Sequence, residues 1–430
     1  MLEAYINQFS FYNTDLLELY INVDKSKNIF IEIIDKNLKI FNSYSVDTFP
    51  QKTHHLSFAE GCKWNKNTDI KLDFLEKGLY FLKLFSLNNI DNWYIPFVIK
   101  EKNINNYKKN LVILNINTWC AYNDYGGGSF YRTKNINTNK YTEKKWPNVV
   151  ASISSSFLKP SYSVSKGCKN YLNKTQMGQE HLFFGESILF NFLDKHNIEF
   201  DYITDKEVHY EPKFLKNRKI IFLNCHPEYW THQMFFNFMN VVKNSFTNLI
   251  YLGGNGIWRK ILYTNNSIQK LAFPFCNQNL NIYKNHLSSD NFAQKNNLTD
   301  EPYELLGMFY DTRGYDTYHP FIFGNVSLKI FDKTEIKKNE IIGNKNNIGG
   351  IKPSGYETDK VFHRWKKNNS KGYSVILAKG LNPNNGGGEI ILHKIYKSYV
   401  FSCGSITFTR CINNPKISQL LLNVIQAFNS

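Results

Sequence analysis

Cysteine is scarce in this chain and never paired. The seven cysteines, Cys62, Cys120, Cys168, Cys225, Cys276, Cys403 and Cys411, are odd in number, dispersed along 430 residues and nowhere in CxxC spacing. That excludes a disulfide frame and a zinc cage, and predicts free thiols in a reducing compartment. Other absences narrow the field further. There is no HExxH and no His-x-His for zinc, and no GxxxxGK[ST] or GxGxxG for a phosphate cradle. No stretch approaches the ~18 to 20 apolar residues of a membrane span. The opening "MLEAYINQFSFYNTDLLELYI" lacks a basic segment followed by an apolar one, so the expected location is cytoplasmic with no membrane partner. No low-complexity tail or internal repeat is present.

Acidic residues are outnumbered, 36 against 52 Lys and Arg, for a net charge of +16. The lysines are scattered among Asn and Ile, with runs no longer than pairs such as Lys144-Lys145 and Lys366-Lys367. A phosphate footprint clusters on one element, so nucleic acid is not an expected partner. What is plentiful is apolar surface: 42% hydrophobic and 16% aromatic residues. A chain of this length and composition is expected to bury two cores, one of them large.

Residues 1–102 read as short strands, "LLELYINV", "IFIEIID", "DIKLDFLE", "GLYFLKLF" and "WYIPFVIK", separated by Asn, Asp, Lys and Gly clusters at β-sandwich spacing. The alternation in "LYFLKLF" predicts a half-buried strand. "KEKNINNYKKN" (100–110) reads as a linker. Beyond it, in 103–430, apolar strands alternate with helical patterns: "LVILNI", then the helix "HLFFGESILFNFLDKH", then "KIIFLNC". A helix capped by Thr231 carries Phe235, Phe238, Met239 and Val242 at i, i+3, i+4, i+7, and "NLIYLGG" completes a βαβ unit. The second domain is therefore expected to be α/β, with a mostly parallel sheet between helices. The last segment, "KISQLLLNVIQAF", puts Ile417, Leu420, Leu421, Val424 and Phe428 on one helical stripe.

In open α/β sheets ligands bind beyond the carboxyl ends of the strands. Three loops qualify: "NTWCAYNDYGGGSFYR", "NCHPEYW" and "GGNGIWRK". The glycines Gly126 to Gly128 allow close backbone approach, among Trp119, Tyr122, Asn123, Tyr125 and Tyr131. In "CHPEY", Cys225 could be a nucleophile, but the adjacent His226 points to the opposite face of an extended segment, so a base from elsewhere is required. A buried, inert Cys225 is the simpler reading. Glu228 could equally ligate a metal through oxygen or cap the next helix beside Thr231. Tyr122 could be one packed aromatic among 27 tyrosines, and Gly254-Asn255-Gly256 only a tight turn. His181, His209 and His363 read as surface or core residues.

Taken in order, "NTWCAYNDYGGGSFY", "HPEYW", "LGGNGIWR", "SGYETD" and "YVFSCGSITF" resemble the large-subunit family of N,N-dimethylformamidase, with its patterns "TWxAYNxxGGxSxY" and "GHPEYW". The resemblance spans essentially the whole chain. It implies an N-terminal Ig-like β-sandwich (1–102) followed by a glutamine-amidotransferase-like three-layer α/β domain (103–430). It also implies a mononuclear Fe(III) held by two tyrosinates and a glutamate, and hydrolysis of a small amide or formamide C–N bond. Carried over by position, the ligands are Tyr122 of "AYN", Glu228 of "HPEYW", and Tyr162 of "SFLKPSY", which stands for the family's "SFxRPY" with Lys159 for Arg and Ser161 inserted. His226 and Glu357 would move protons, Asn255 would donate to the oxyanion, and Tyr125, Trp119 and Phe130 would wall the pocket. Expected partners are a small amide substrate and either a small subunit or a second copy of the chain. Two rival readings are a Cys225-dependent hydrolase or amidotransferase on the same scaffold, and a non-catalytic, carbohydrate-associated binding protein.

Overall fold

The computed structural model describes residues 1–87, 92–131, 133–134, 141–142, 154–274, 302–361 and 372–430. His363 and Cys276 lie outside the described residues. The N-terminal strands form two sheets. One orders Leu2–Ile6, Leu16–Val23 and Thr68–Lys71; the other orders Ser10–Phe11, Trp93–Ile99, Gly78–Phe85, Lys27–Ile34 and Ile40–Thr48. Leu17, Leu19, Ile21, Ile29, Ile31, Leu82 and Leu84 share one apolar cluster there. The expected half-buried strand is buried on both sides. Tyr80, Leu82 and Leu84 face that cluster, while Leu79 and Phe81 join a different one, where Phe81 meets Tyr171 and Phe183 at ring distances of 5.9 and 5.8 Å. Period-two alternation cannot by itself distinguish water from a second core on the far face.

The expected linker is docked. Lys100 is buried, its ammonium 2.8 Å from Glu211 and 3.2 Å from Glu207, and Lys108 reaches Glu199 at 2.8 Å. Buried ammonium groups demand such partners, so this segment is fixed to the α/β part of the chain.

Nine strands make the large sheet, in the order Phe200–Thr204, Asn110–Leu114, Ile220–Cys225, Asn248–Gly253, Ser398–Ser402, Glu389–Ile395, Gly372–Gly380, Phe321–Phe323 and Ile341–Ile342. The first five are parallel and the remaining pairs antiparallel. The mostly parallel sheet expected from the βαβ pattern is thus half of a mixed one. Its faces separate by residue parity: Ile220, Phe222, Ile250 and Leu252 pack with helices Phe183–Lys195 and Pro415–Asn429, while Ile221, Leu223, Leu249 and Tyr251 pack with His232–Asn244. Thr231 caps that last helix by accepting from the Met234 amide at 3.1 Å, as its sequence predicts. In the C-terminal helix the five stripe residues are all buried.

Candidate functional site

Three adjacent parallel strands deliver most of the site from their carboxyl ends. After Asn110–Leu114 comes a helix that no periodicity predicts, Ile116–Tyr122. Its register is set by tertiary bonds: the Asn117 amide donates to Asp205 at 3.0 Å, and the Thr118 hydroxyl donates to the His226 carbonyl at 2.6 Å. Tyr122, its last residue, is thereby placed over the next strand's loop. Ile220–Cys225 ends with Cys225 at φ +65°, a left-handed turn that aims His226 and Glu228 inward. Asn248–Gly253 leads into Asn255 and Ile257, both with φ +51°. That turn packs on the 354–359 segment so closely that a Cβ on Gly254 would strike the Glu357 carbonyl.

The functional groups converge on His226 Nε2. It lies 2.9 Å from Glu228 Oε2, 3.4 Å from Glu357 Oε2 and 3.4 Å from the Tyr122 hydroxyl. Nδ1 of His226 donates to the Gly254 carbonyl at 3.0 Å, which leaves Nε2 as the atom presented to the site. Tyr131 donates to Glu228 Oε2 at 2.9 Å and also touches the Tyr229 hydroxyl. Asn255 gives one amide hydrogen to Glu357 Oε2 at 2.9 Å, and its Oδ1 is buried with no partner among the described residues. Arg259 approaches Glu228 Oε1 at 3.5 Å. His226 and Glu228 are 0% and 2% exposed.

Burial dominates the electrostatics, and the neighbours decide the sign. For His226, burial alone would lower the pKa, but the hydrogen bond to Glu228 and the charges of Glu228 and Glu357 raise it to about 9. Burial would raise Glu228, yet His226, Arg259 and Tyr131 together hold it below the usual carboxylate range. Glu357 is raised to about 6 by burial, His226 opposing and Glu228 adding to the rise. Burial, then the surrounding phenols and carboxylates, push Tyr122, Tyr131 and Tyr229 well up. His226, Glu228 and Glu357 also form a set whose ligand atoms all lie within 4.8 Å of one another, close enough to share one ion.

Of the residues singled out from the sequence, Tyr122, His226, Glu228, Asn255 and Glu357 come together. Tyr162 does not join them. The inserted Ser161 becomes an N-cap accepting from the Val164 amide, and Tyr162 starts the helix Tyr162–Leu172. Its side chain, 52% exposed, bonds Glu3 of the first strand and stacks edge-on against Trp93. The phenol that meets Glu228 is Tyr131, the final Tyr of "TWxAYNxxGGxSxY", so a signal for it was present.

The expected pocket walls are also redistributed. Trp119 donates to Glu186 at 2.7 Å in the core, Tyr125 donates to Glu3 at 2.8 Å, and Phe130 packs behind Tyr229. His181, expected as a surface or core residue, instead lies in the site, its ring 4.4 Å from that of Tyr122 and stacked on Tyr356 at 5.4 Å. No local motif marks it. Its loop is held from far along the chain by buried Arg410, which donates to the Gln176 and Gly178 carbonyls and to Glu180.

Cys225 is not placed to act as a nucleophile. It is 1% exposed, its thiol donates to the Glu180 carbonyl at 2.6 Å, and burial pushes its pKa well above the ordinary value. Its positive φ fits the Gly of the "GHPEYW" pattern at that position. Glu228 likewise does not cap the following helix; Thr231 does. Among the described residues no helix is long and apolar enough to cross a membrane.

A search of curated proteins finds no match to this chain. A family model does match it, from residue 36 to residue 419, most of the chain and every residue of the site just described. On that match the chain belongs to the N,N-dimethylformamidase beta subunit-like family, represented by its C-terminal model.

Proposed function

We propose that the chain is a hydrolase of a small amide C–N bond, with a formamide-like substrate, and that it works with one ferric ion. The observation that carries this reading is the convergence of Tyr122, Tyr131, Glu228, Glu357 and His226 at the carboxyl ends of the parallel strands. The donor set fits the ion: phenol and carboxylate oxygens are hard ligands of the kind a small, highly charged cation prefers, and the six cysteines of the described residues stay out of the cluster. Tyr122, Tyr131 and Glu228 would hold the metal, with Tyr131 in the role the family resemblance assigns to Tyr162. When bound, a ferric ion supplies Lewis acidity toward an amide carbonyl and toward water.

The chain's own residues then orient and transfer protons. The Gly254 carbonyl fixes the His226 ring, so Nε2 is the nitrogen that can pass a proton to Glu228, Glu357 or the Tyr122 oxygen. Glu357 is steadied by Asn255, and it is the carboxylate that can receive a proton from water at Oε2 and return it to the departing amine nitrogen. Asn255 spends one amide hydrogen on Glu357, which leaves the other to bond the oxygen that gains charge in the transition state. His181 and Tyr356 form a flat aromatic side to the site, which suits a substrate with little beyond its amide.

We further infer that the two N-terminal sheets correspond to an Ig-like sandwich ending near residue 102, and that the remainder is a glutamine-amidotransferase-like layer domain. The family description as a beta subunit supports a smaller partner subunit. Light scattering of the chain purified alone and co-expressed with a candidate partner would separate that from self-association. Metal analysis with visible spectroscopy tests the central reading. The wild type should bind about one iron and show a phenolate charge-transfer band. Tyr122→Phe, Tyr131→Phe and Glu228→Ala should lose or shift the band and abolish amide hydrolysis, while Tyr162→Phe retains both. A colourless wild type purified from iron-supplemented cells, with no iron and no amidase activity, would end this reading.

A further inference from the structure

One buried cation takes no part in these proton transfers. Lys159 is 3% exposed. Its ammonium donates to the Asn123 carbonyl at 2.8 Å, the Phe58 carbonyl at 3.0 Å and the Ser155 hydroxyl at 3.1 Å. All three N–H donors of the ammonium are thus used, and the three acceptors come from three different segments. Asn123 follows Tyr122 and ends the helix Ile116–Tyr122. Phe58 belongs to the short helix Ser57–Glu60, contributed by the N-terminal part of the chain. Ser155 passes its own hydroxyl hydrogen to the Cys120 carbonyl at 2.6 Å, another carbonyl of the same helix end.

The glycine loop between Tyr122 and Tyr131 is seated on the same helix. A Cβ on Gly126 would strike the Ser57 hydroxyl, and one on Gly128 would come within 2.8 Å of the Phe58 ring. Asn123 closes the arrangement by donating to the Pro160 carbonyl at 2.9 Å, next to Lys159 itself. Both phenols therefore sit at the ends of a loop whose backbone is pressed against Ser57 and Phe58 and pinned by one ammonium group.

We propose that Lys159 is a positioning residue. By joining the carbonyls of Asn123 and Phe58, it holds the Tyr122–Tyr131 loop in the geometry that presents both phenols to Glu228, and so makes the Ser57–Glu60 segment a working part of the site. This rests on the metal reading for what the phenols do, but not for how the loop is held.

The experiment has an arm for each. In the metal-free full-length protein, hydrogen exchange of peptides covering 118–131 should quicken by about tenfold or more in Lys159→Met, with the C-terminal helix 415–429 unchanged. With iron added, the same variant should show a shifted phenolate band and weaker iron binding, and Lys159→Arg, which keeps charge and donors, should restore both. Ser155→Ala removes one of the three acceptors without altering the loop sequence, and should raise exchange at 118–131 in smaller measure if Lys159→Met does not fold. Unchanged exchange at 118–131, or exchange that rises equally everywhere, would overturn the proposal. A wild type that binds no iron would sink the metal reading alone, since the exchange arm still decides the role of Lys159.

Discussion

Glu186 shows what burial does to one group behind this site. Its carboxyl accepts from the Trp119 indole at 2.7 Å and the Asn115 amide at 3.2 Å, and burial raises its pKa to about 8 despite both bonds. The native pKa lies above the ordinary 4.5, so the folded chain binds this proton more tightly than the unfolded chain does. Its contribution is complete below about pH 4.5 and is lost as pH rises through about 8, a swing of at most about 5 kcal/mol. Urea titrations from pH 5 to 9 should show stability falling across that window, and Glu186→Gln should flatten the fall. An unaltered slope in the variant would mean that Glu186 is already ionised in the native state. Nothing in "HLFFGESILF" announces this, because a Glu on an apolar helix looks the same whether it points to water or to a Trp. His226 and Glu228 were legible because a strand end in an open α/β sheet is a ligand-binding place whatever the side chains. Tyr162 misled because one inserted residue, Ser161, became a helix cap and turned the phenol toward Glu3.

At the scale of elements, caps and turns carry the register. Thr231 accepts from the Met234 amide, so Thr231→Ala should cost about 1 kcal/mol, read from the urea midpoint, without touching Glu228. Gly254 is more demanding, because its Cα faces the Glu357 carbonyl with no room for a methyl group. Gly254→Ala should leave the far-ultraviolet spectrum intact yet cut amide hydrolysis at least about a hundredfold, since a displacement near 1 Å suffices for such a loss. Activity within a few-fold of wild type would show that Glu357 is not used. The strands and long helices were readable from periodicity, but Ile116–Tyr122 was not. In "INTWCAY" every residue but Ala121 is among the weaker helix formers and there is no side-chain cap, and it is helical because Asp205 and the His226 carbonyl receive its donors.

For the whole molecule, the strands Gly78–Phe85 and Trp93–Ile99 belong to two cores at once. Leu79, Phe81, Tyr94 and Val98 lie in the cluster that includes the helix Phe183–Lys195, while Tyr80, Leu82, Leu84 and Phe97 lie in the N-terminal one. Phe81→Ala should therefore cost about 3 to 5 kcal/mol in a single cooperative transition. Expressed alone, 103–430 should bind a hydrophobic dye and lack a sharp thermal transition; a cooperative melt like that of the full chain would show that the shared face is dispensable.

That shared face also sets a timetable for synthesis. Phe81 leaves the ribosome about 100 residues ahead of its ring partner Phe183. At 5 to 20 residues per second this leaves it uncovered for roughly 5 to 20 s. During that interval the N-terminal sheet can close one side only, and the other is an apolar surface open to any neighbouring chain. A trigger-factor-like holdase present during translation should raise the soluble yield, and slowing elongation between codons 100 and 180 should lower it.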